Sequence, residues 1–312
     1  MIDFRYHLVS LISVFLALAV GVVLGAGPLQ NSLGTALNDQ VTSLRADRNA
    51  LQSQLEETKS AVNDRDSYIT QLATTVLPGT LDGKKVAVVT LPGAENDDVD
   101  AAATQLQAAG ATVNGRLTLT DAWTDPGRET FRSTYSGQFA GYLDSASNEG
   151  GNAVLGQGLV AALTTDGEKA TALLDLLTAT DQPLATVDSK PSGRSDMVLV
   201  IGPRDVAEDK TADAATKATA AATAADENDA WAQALSGAAS QGTTVVEGAA
   251  QSSSGLVASL RSGDVKVTTI DSVGQVTAAV SAPLALASTA SGTVASYGFD
   301  DGASAVIPPT GK

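Results

Sequence analysis

The 312-residue chain has no cysteine, a single histidine and two methionines, and only 4% of its residues are aromatic. Without cysteine there are no disulfides and no thiolate chemistry, which an exported protein tolerates if its core is large enough. The histidine, His7, precedes the first long apolar run, so no Ser-His-Asp or Cys-His arrangement can form in the rest of the chain. Positive charge is scarce too: 19 Lys and Arg stand against 35 Asp and Glu, for a net charge of −16 and a pI near 4.3. Such a chain repels polyanions, which argues against a nucleic-acid partner. With so few aromatics, the core must be built from Ala, Val and Leu.

Charge of either sign is absent from residues 8 to 38, and the stretch from Leu8 to Ala26 is nearly all apolar. At roughly 1.5 Å per residue it reaches about 28 Å, close to the hydrocarbon thickness of a bilayer. No second stretch matches it. Arg5 and the free amine keep the N-terminus cytoplasmic, with Phe4 and Tyr6 at the interface. The expectation is a single-pass cell-membrane protein, held by residues 8–29, whose body is extracytoplasmic. A cleaved secretory signal is the rival reading, but the run is long for one, its flank has little positive charge, and Val23-Leu24-Gly25 makes a poor cleavage site.

The segment after the apolar run is periodic. Steps of four and three from Leu37 reach Val41, Leu44, Arg48, Leu51, Leu55, Thr58, Val62, Arg65, Ile69, Leu72 and Val76. Nine of these twelve are apolar and no Pro or Gly interrupts residues 35–77, which together predict a coiled coil of about 60 Å. Pro78-Gly79 ends it. Arg48 at an a position and Arg65 at a d position weaken a purely apolar pairing and favour particular partners or registers. The seam suits a modest homodimer with snorkelling arginines, a hetero-coiled coil with a partner's helix, or a solitary solvated helix.

Beyond Pro78 the pattern changes to that of an α/β domain. Strands are expected at Lys84–Leu91, 111–119, 195–201, 243–247 and 265–270, with helices near 97–109, 128–143, 155–163, 167–177, 211–239 and 253–262. This alternation predicts a largely parallel sheet with helices on both faces. The domains read as 1–29 (cytoplasmic end and anchor), 30–78 (coiled coil) and 79–312 (extracytoplasmic α/β domain). Residues 205–230, rich in Ala, Thr, Asp and Lys, read as an exposed helix or mobile insertion. The tail around Tyr297-Gly298-Phe299 reads as a loop that packs on the sheet through its aromatics.

Motifs that could carry chemistry are weak. Gly156-Gln157-Gly158-Leu159-Val160-Ala161 formally fits a dinucleotide fingerprint but follows no convincing strand. Gly79 to Lys84 lacks phosphate-loop spacing and reads as the turn from coil to domain. Asp97-Asp98 and Asp300-Asp301 could bind a hard cation or act as acid and base, yet Asp97-Asp98 sits where first-turn acids complement a helix dipole. No catalytic, metal or cofactor residue is assigned, and no enzymatic activity is expected.

The run Met1-Ile2-Asp3-Phe4-Arg5-Tyr6-His7-Leu8-Val9-Ser10-Leu11, with Val14 to Gly21 and Leu24-Gly25, closely resembles the N-terminus of the actinobacterial MctB-type "copper transporter" family. The resemblance continues through the coil, the strand after Asp82-Gly83-Lys84-Lys85, and Tyr297-Gly298 with the late prolines. It implies one of two functions: copper export or channel formation in the envelope, or, as in SteB-like members, daughter-cell separation together with a SteA-like membrane partner and control of a peptidoglycan hydrolase. Copper handling prefers Cys, Met or His ligands, which are scarce here, and a channel needs several spans or a closed barrel. The expectation is therefore an envelope scaffold acting through its coiled-coil seam, with copper efflux as the alternative.

Overall fold

A computed structural model describes residues 4–26, 28–179, 181, 183–205 and 211–310. The chain divides into two compact units, Met1–Arg65 and Asp66–Lys312. In the first, the apolar run Leu8 to Ala26 lies in helix α1 (Phe4–Ala26), of which Phe4–Gly25 is long and apolar enough to cross a membrane. None of that window is buried by protein, so its apolar surface faces outward all round. The Ser13 hydroxyl donates to the Val9 carbonyl, satisfying its polar group within the helix as a lipid environment demands. Helix α2 (Pro28–Val76) carries the predicted periodic segment without a break.

The second unit begins in the last turns of α2 and is a three-layer α/β sandwich. Among the described residues, seven strands lie in the order β3-β2-β1-β4-β5-β6-β7. They are β1 (Lys85–Thr90), β2 (Thr112–Leu119), β3 (Ala185–Ser189), β4 (Met197–Ile201), β5 (Thr244–Glu247), β6 (Thr268–Ile270) and β7 (Ser296–Tyr297). All neighbours pair in parallel except β2 with the edge strand β3. Strand β4 is buried along its whole length and β1 beyond its first residue, so both read as continuous apolar runs rather than alternating ones. Their side chains alternate between two cores. Ala87, Val89, Val198 and Val200 face one, while Val86, Val88, Met197, Leu199 and Ile201 face the other.

The helices of this unit are α3 (Asn96–Ala108), α4 (Glu129–Ala140), α5 (Gly151–Thr164), α6 (Glu168–Thr178), α7 (Ala214–Gln241), α8 (Leu256–Ser262) and α9 (Val276–Ala290). Helices α4 to α8 supply the first core, and α3, α9 and the end of α2 the second. The Gly156 and Gly158 motif lies inside α5, where it serves packing. A Cβ at Gly156 would overlap the Ala234 carbonyl of α7, one at Gly237 of α7 would overlap the Ala153 carbonyl of α5, and Gly158 lies against the Phe139 ring. These two helices cross at backbone contact, which only glycine allows.

Three elements lie outside the expected set. Strand β3 has one buried residue, Ala185, and so no apolar run to announce it. Helix α9 is buried on nearly every side and contains Pro283, so it shows neither an amphipathic stripe nor an uninterrupted helical sequence. The tail differs from expectation in part: Tyr297 is buried in β7, but Phe299 is 61% exposed and does not pack on the sheet. The Ala- and Thr-rich stretch forms the exposed first half of α7, while residues 206–210 of it lie outside the described residues.

Candidate functional site

Among the described residues, three places bring side chains of interest together. The first is the seam of α2. In the unit that ends at Arg65, Leu37, Val41, Leu44, Arg48, Leu51, Leu55, Val62 and Arg65 are all exposed, Leu51 to 65% and Leu44 to 61%. The Arg48 guanidinium donates to the Asn49 side chain, and Thr58 turns its hydroxyl back to the Gln54 carbonyl. An apolar row at heptad spacing in water is the arrangement that a second helix covers. Val41 and Val62 at a positions, with Leu37, Leu44 and Leu51 at d, match the residue types of two-stranded parallel coils.

The final heptads serve a different surface. Ile69 and Val76 are half-buried and pack with the buried Ala73 and Leu77 onto the α3 and α9 core. The residues 69, 73, 76 and 77 form one helical face spent inside this unit, whereas Leu72 stays 45% exposed. The predicted seam thus meets two environments: solvent up to Arg65, and the domain's own core at Ile69 and Val76.

The second place is the carboxyl edge of the sheet. Strand order reverses between β1 and β4, the position where open α/β sheets bind ligands. Asp98, in the first turn of α3, is 6% exposed. Arg204, just beyond β4, donates from Nε and Nη2 to its two carboxylate oxygens at 2.8 and 2.6 Å. This bidentate bond raises the Arg204 pKa above its ordinary value. The Asp97-Asp98 pair is thus a first-turn acid cluster, as expected, with one member committed to an arginine 106 residues away. At the end of β5, Glu247 is 1% exposed and its Oε2 has no hydrogen-bond partner. Burial, with the Asp98 charge adding to it, pushes the Glu247 carboxyl up to about 8, so it is mainly neutral at pH 7.

A separate lock closes the β6 and β7 end. Asp271 accepts hydrogen bonds from the Ser272 hydroxyl, from the Phe299 and Asp300 backbone N–H groups and from Arg261. Burial alone would raise its pKa, but these donors outweigh burial and hold the carboxyl below its ordinary value. Arg261 also donates to the carbonyls of Tyr297 and Asp301. Gly298, at φ +131°, leaves room for the Asp271 carboxylate where any side chain would collide with it. Asp300-Asp301 is therefore part of a structural loop clasp, with the Asp300 side chain raised by burial and by the Asp271 charge. Among the described residues, no three His, Cys, Asp or Glu side chains gather to hold a metal ion.

Sequence reasoning alone does not single out Glu247, Arg204, Asp271 or Arg261. A single carboxylate ending the apolar run Thr244-Val245-Val246-Glu247 is a usable signal for the first of these; the arginine partners have none.

Comparison with known proteins adds a family. The model described as "Copper transport outer membrane protein, MctB" matches residues 1–308. Proteins named copper transporter MctB from Mycobacterium tuberculosis and Mycobacterium bovis are each 32% identical to this chain over 125 residues, and one from Mycobacterium leprae is 35% identical over 125. Each alignment covers 40% of this chain and 39 to 40% of the relative, so the matched stretch spans about two fifths of the relatives' length.

Proposed function

The chain belongs to the MctB family, and on that premise we propose that it is a membrane-anchored envelope protein that acts by protein contacts through the exposed seam of α2. The observation that carries this reading is the row Leu37, Val41, Leu44, Leu51, Leu55 and Val62, which holds apolar surface in water at heptad spacing. The span-length α1 supports the anchor, with its N-terminus in the cytoplasm and the α/β body outside. The seam pairs with a second copy or with a partner's helix. The process it serves is daughter-cell separation, in which a SteA-like membrane partner and a peptidoglycan hydrolase are the contacts. No reaction of its own is assigned to the protein.

A second reading is copper transport, favoured by the name that the mycobacterial relatives carry. One histidine, two methionines and no cysteine give a copper ion few of the ligands it prefers, and one span makes a pore only by assembling several copies.

Replacing the chromosomal copy by a Leu44→Asp, Leu55→Asp variant separates the two. The seam reading expects chained, unseparated cells at an unchanged level of membrane-bound protein, with copper tolerance intact. Normal separation both in this variant and in a deletion strain overturns it. Copper sensitivity on deletion, with separation normal, establishes the second reading instead.

A further inference from the structure

We propose that the carboxyl edge of the sheet at β1, β4 and β5 binds an organic cation, in chemical class a primary amine, with the buried side chain of Glu247 as its counter-ion. This site is independent of the helix seam.

Charges at this edge of the sheet are mismatched. Two carboxyl groups, Asp98 from α3 and Glu247 from β5, lie close enough for the charge of one to act on the other. The Arg204 guanidinium is spent on Asp98, with one donor on each oxygen. Glu247 is left nine-tenths buried and more, with Oε2 unpartnered. A buried polar oxygen without a partner carries the cost of its lost hydration, and each such group calls for an explanation. It sits beside the topological switch point, where α/β sheets of this order take their ligands.

The surroundings define the chemistry of the missing partner. Glu95, Asp97 and Asp98 crowd the start of α3 and act on Arg204, so an anion would be repelled. A metal ion wants several ligating side chains, and among the described residues no such cluster forms. An ammonium group needs only one carboxylate together with neutral oxygen acceptors, which makes it the cation that a single buried carboxyl suits. Binding is a proton exchange. The neutral Glu247 carboxyl releases its proton to solvent and the resulting carboxylate pairs with the ammonium, so charge balances with one proton released per amine bound. Burial sets this titration first, and the charge of Asp98, itself bonded to Arg204, second.

The test is calorimetric titration of the full chain in detergent with n-butylamine, run at pH 6.5 and 7.5 in buffers of different ionisation enthalpy, with n-butanol and Mg²⁺ as comparators. The proposal expects amine binding that tightens by about tenfold per pH unit in this range, as one released proton requires. It also expects about one proton released per site and no response to butanol or Mg²⁺. Glu247→Gln, which keeps the shape of the neutral acid, abolishes the binding while the thermal transition persists. Asp98→Asn frees Arg204 to pair with Glu247 in the amine's place, and weakens binding at least tenfold. Binding that is absent from the parent chain, unchanged in Glu247→Gln, independent of pH or matched by Mg²⁺ overturns the proposal.

Discussion

At the scale of single residues, two buried acids show how environment sets opposite titrations on one sheet edge. Asp271 is held below its ordinary value by four donors, so its contribution to stability is present above the unfolded carboxylate pKa and is lost as pH falls through the lower folded value. Glu247, with burial and no donor on Oε2, is raised to about 8 from 4.5. Its sign is the reverse. The unfolded chain gives up this proton near pH 4.5 and the folded chain keeps it to about 8, so Glu247 costs stability increasingly as pH rises through that window. Glu247→Gln removes the titration. It is expected to raise stability at pH 7.5 by about 1–3 kcal/mol, after allowing for an amide that is itself incompletely bonded, and to leave stability at pH 4 nearly unchanged. Denaturant melts of the two proteins at both pH values check this; a loss at pH 7.5 would mean that Glu247 is ionised and paired in the fold.

At the scale of elements, legibility in the sequence follows burial geometry. Strands β1 and β4 are readable because both of their faces are buried and their sequences are correspondingly apolar. Edge strand β3 buries only Ala185, and helix α9 is apolar all round and carries Pro283, so neither shows the period by which strands and helices are recognised. The seam of α2 is legible as a pattern but not in its division, since Ile69 and Val76 turn to the domain core while the residues up to Arg65 face solvent. The Asp98 to Arg204 bond and the Asp271 to Arg261 clasp are invisible in the sequence because long-range charge pairs leave no local period. Glycines of α5 and α7 are visible, and their meaning comes only with the crossing of the helices. Gly156→Ala puts a methyl group into the Ala234 carbonyl and is expected to cost about 3 kcal/mol or more, as overpacking at a backbone contact does. Gly137 of α4 has open space at its Cβ, so Gly137→Ala is expected to be neutral or stabilising by up to about 1 kcal/mol. Thermal melts of the pair separate a steric role for Gly156 from a general intolerance of helix substitution.

At the scale of the whole molecule, this member of the MctB family is a membrane protein with one span-length apolar helix among the described residues. Phe4–Gly25 has a mean hydropathy of 2.7 and none of its surface is buried by the rest of the chain, so in water it would expose apolar side chains such as Phe15, Leu16 and Val23 at 65% or more. Burying such a helix in lipid gains roughly 25 cal/mol for each Å² removed from water, so a helix that is retained would hold the chain in the bilayer despite its net charge of −16. The same helix would be lost if it served as a signal, and the two fates differ in mass. An uncleaved anchor predicts that protein extracted from membranes retains residues 1–26 and needs detergent to stay in solution, and that deletion of residues 4–26 leaves a chain that does not reach the membrane fraction. Intact-mass spectrometry of the membrane-extracted protein, paired with fractionation of the deletion variant, measures both. A mature chain that begins after Ala26 would make the segment a leader, and the seam of α2 would then need a partner, rather than its own helix, to hold it at the membrane.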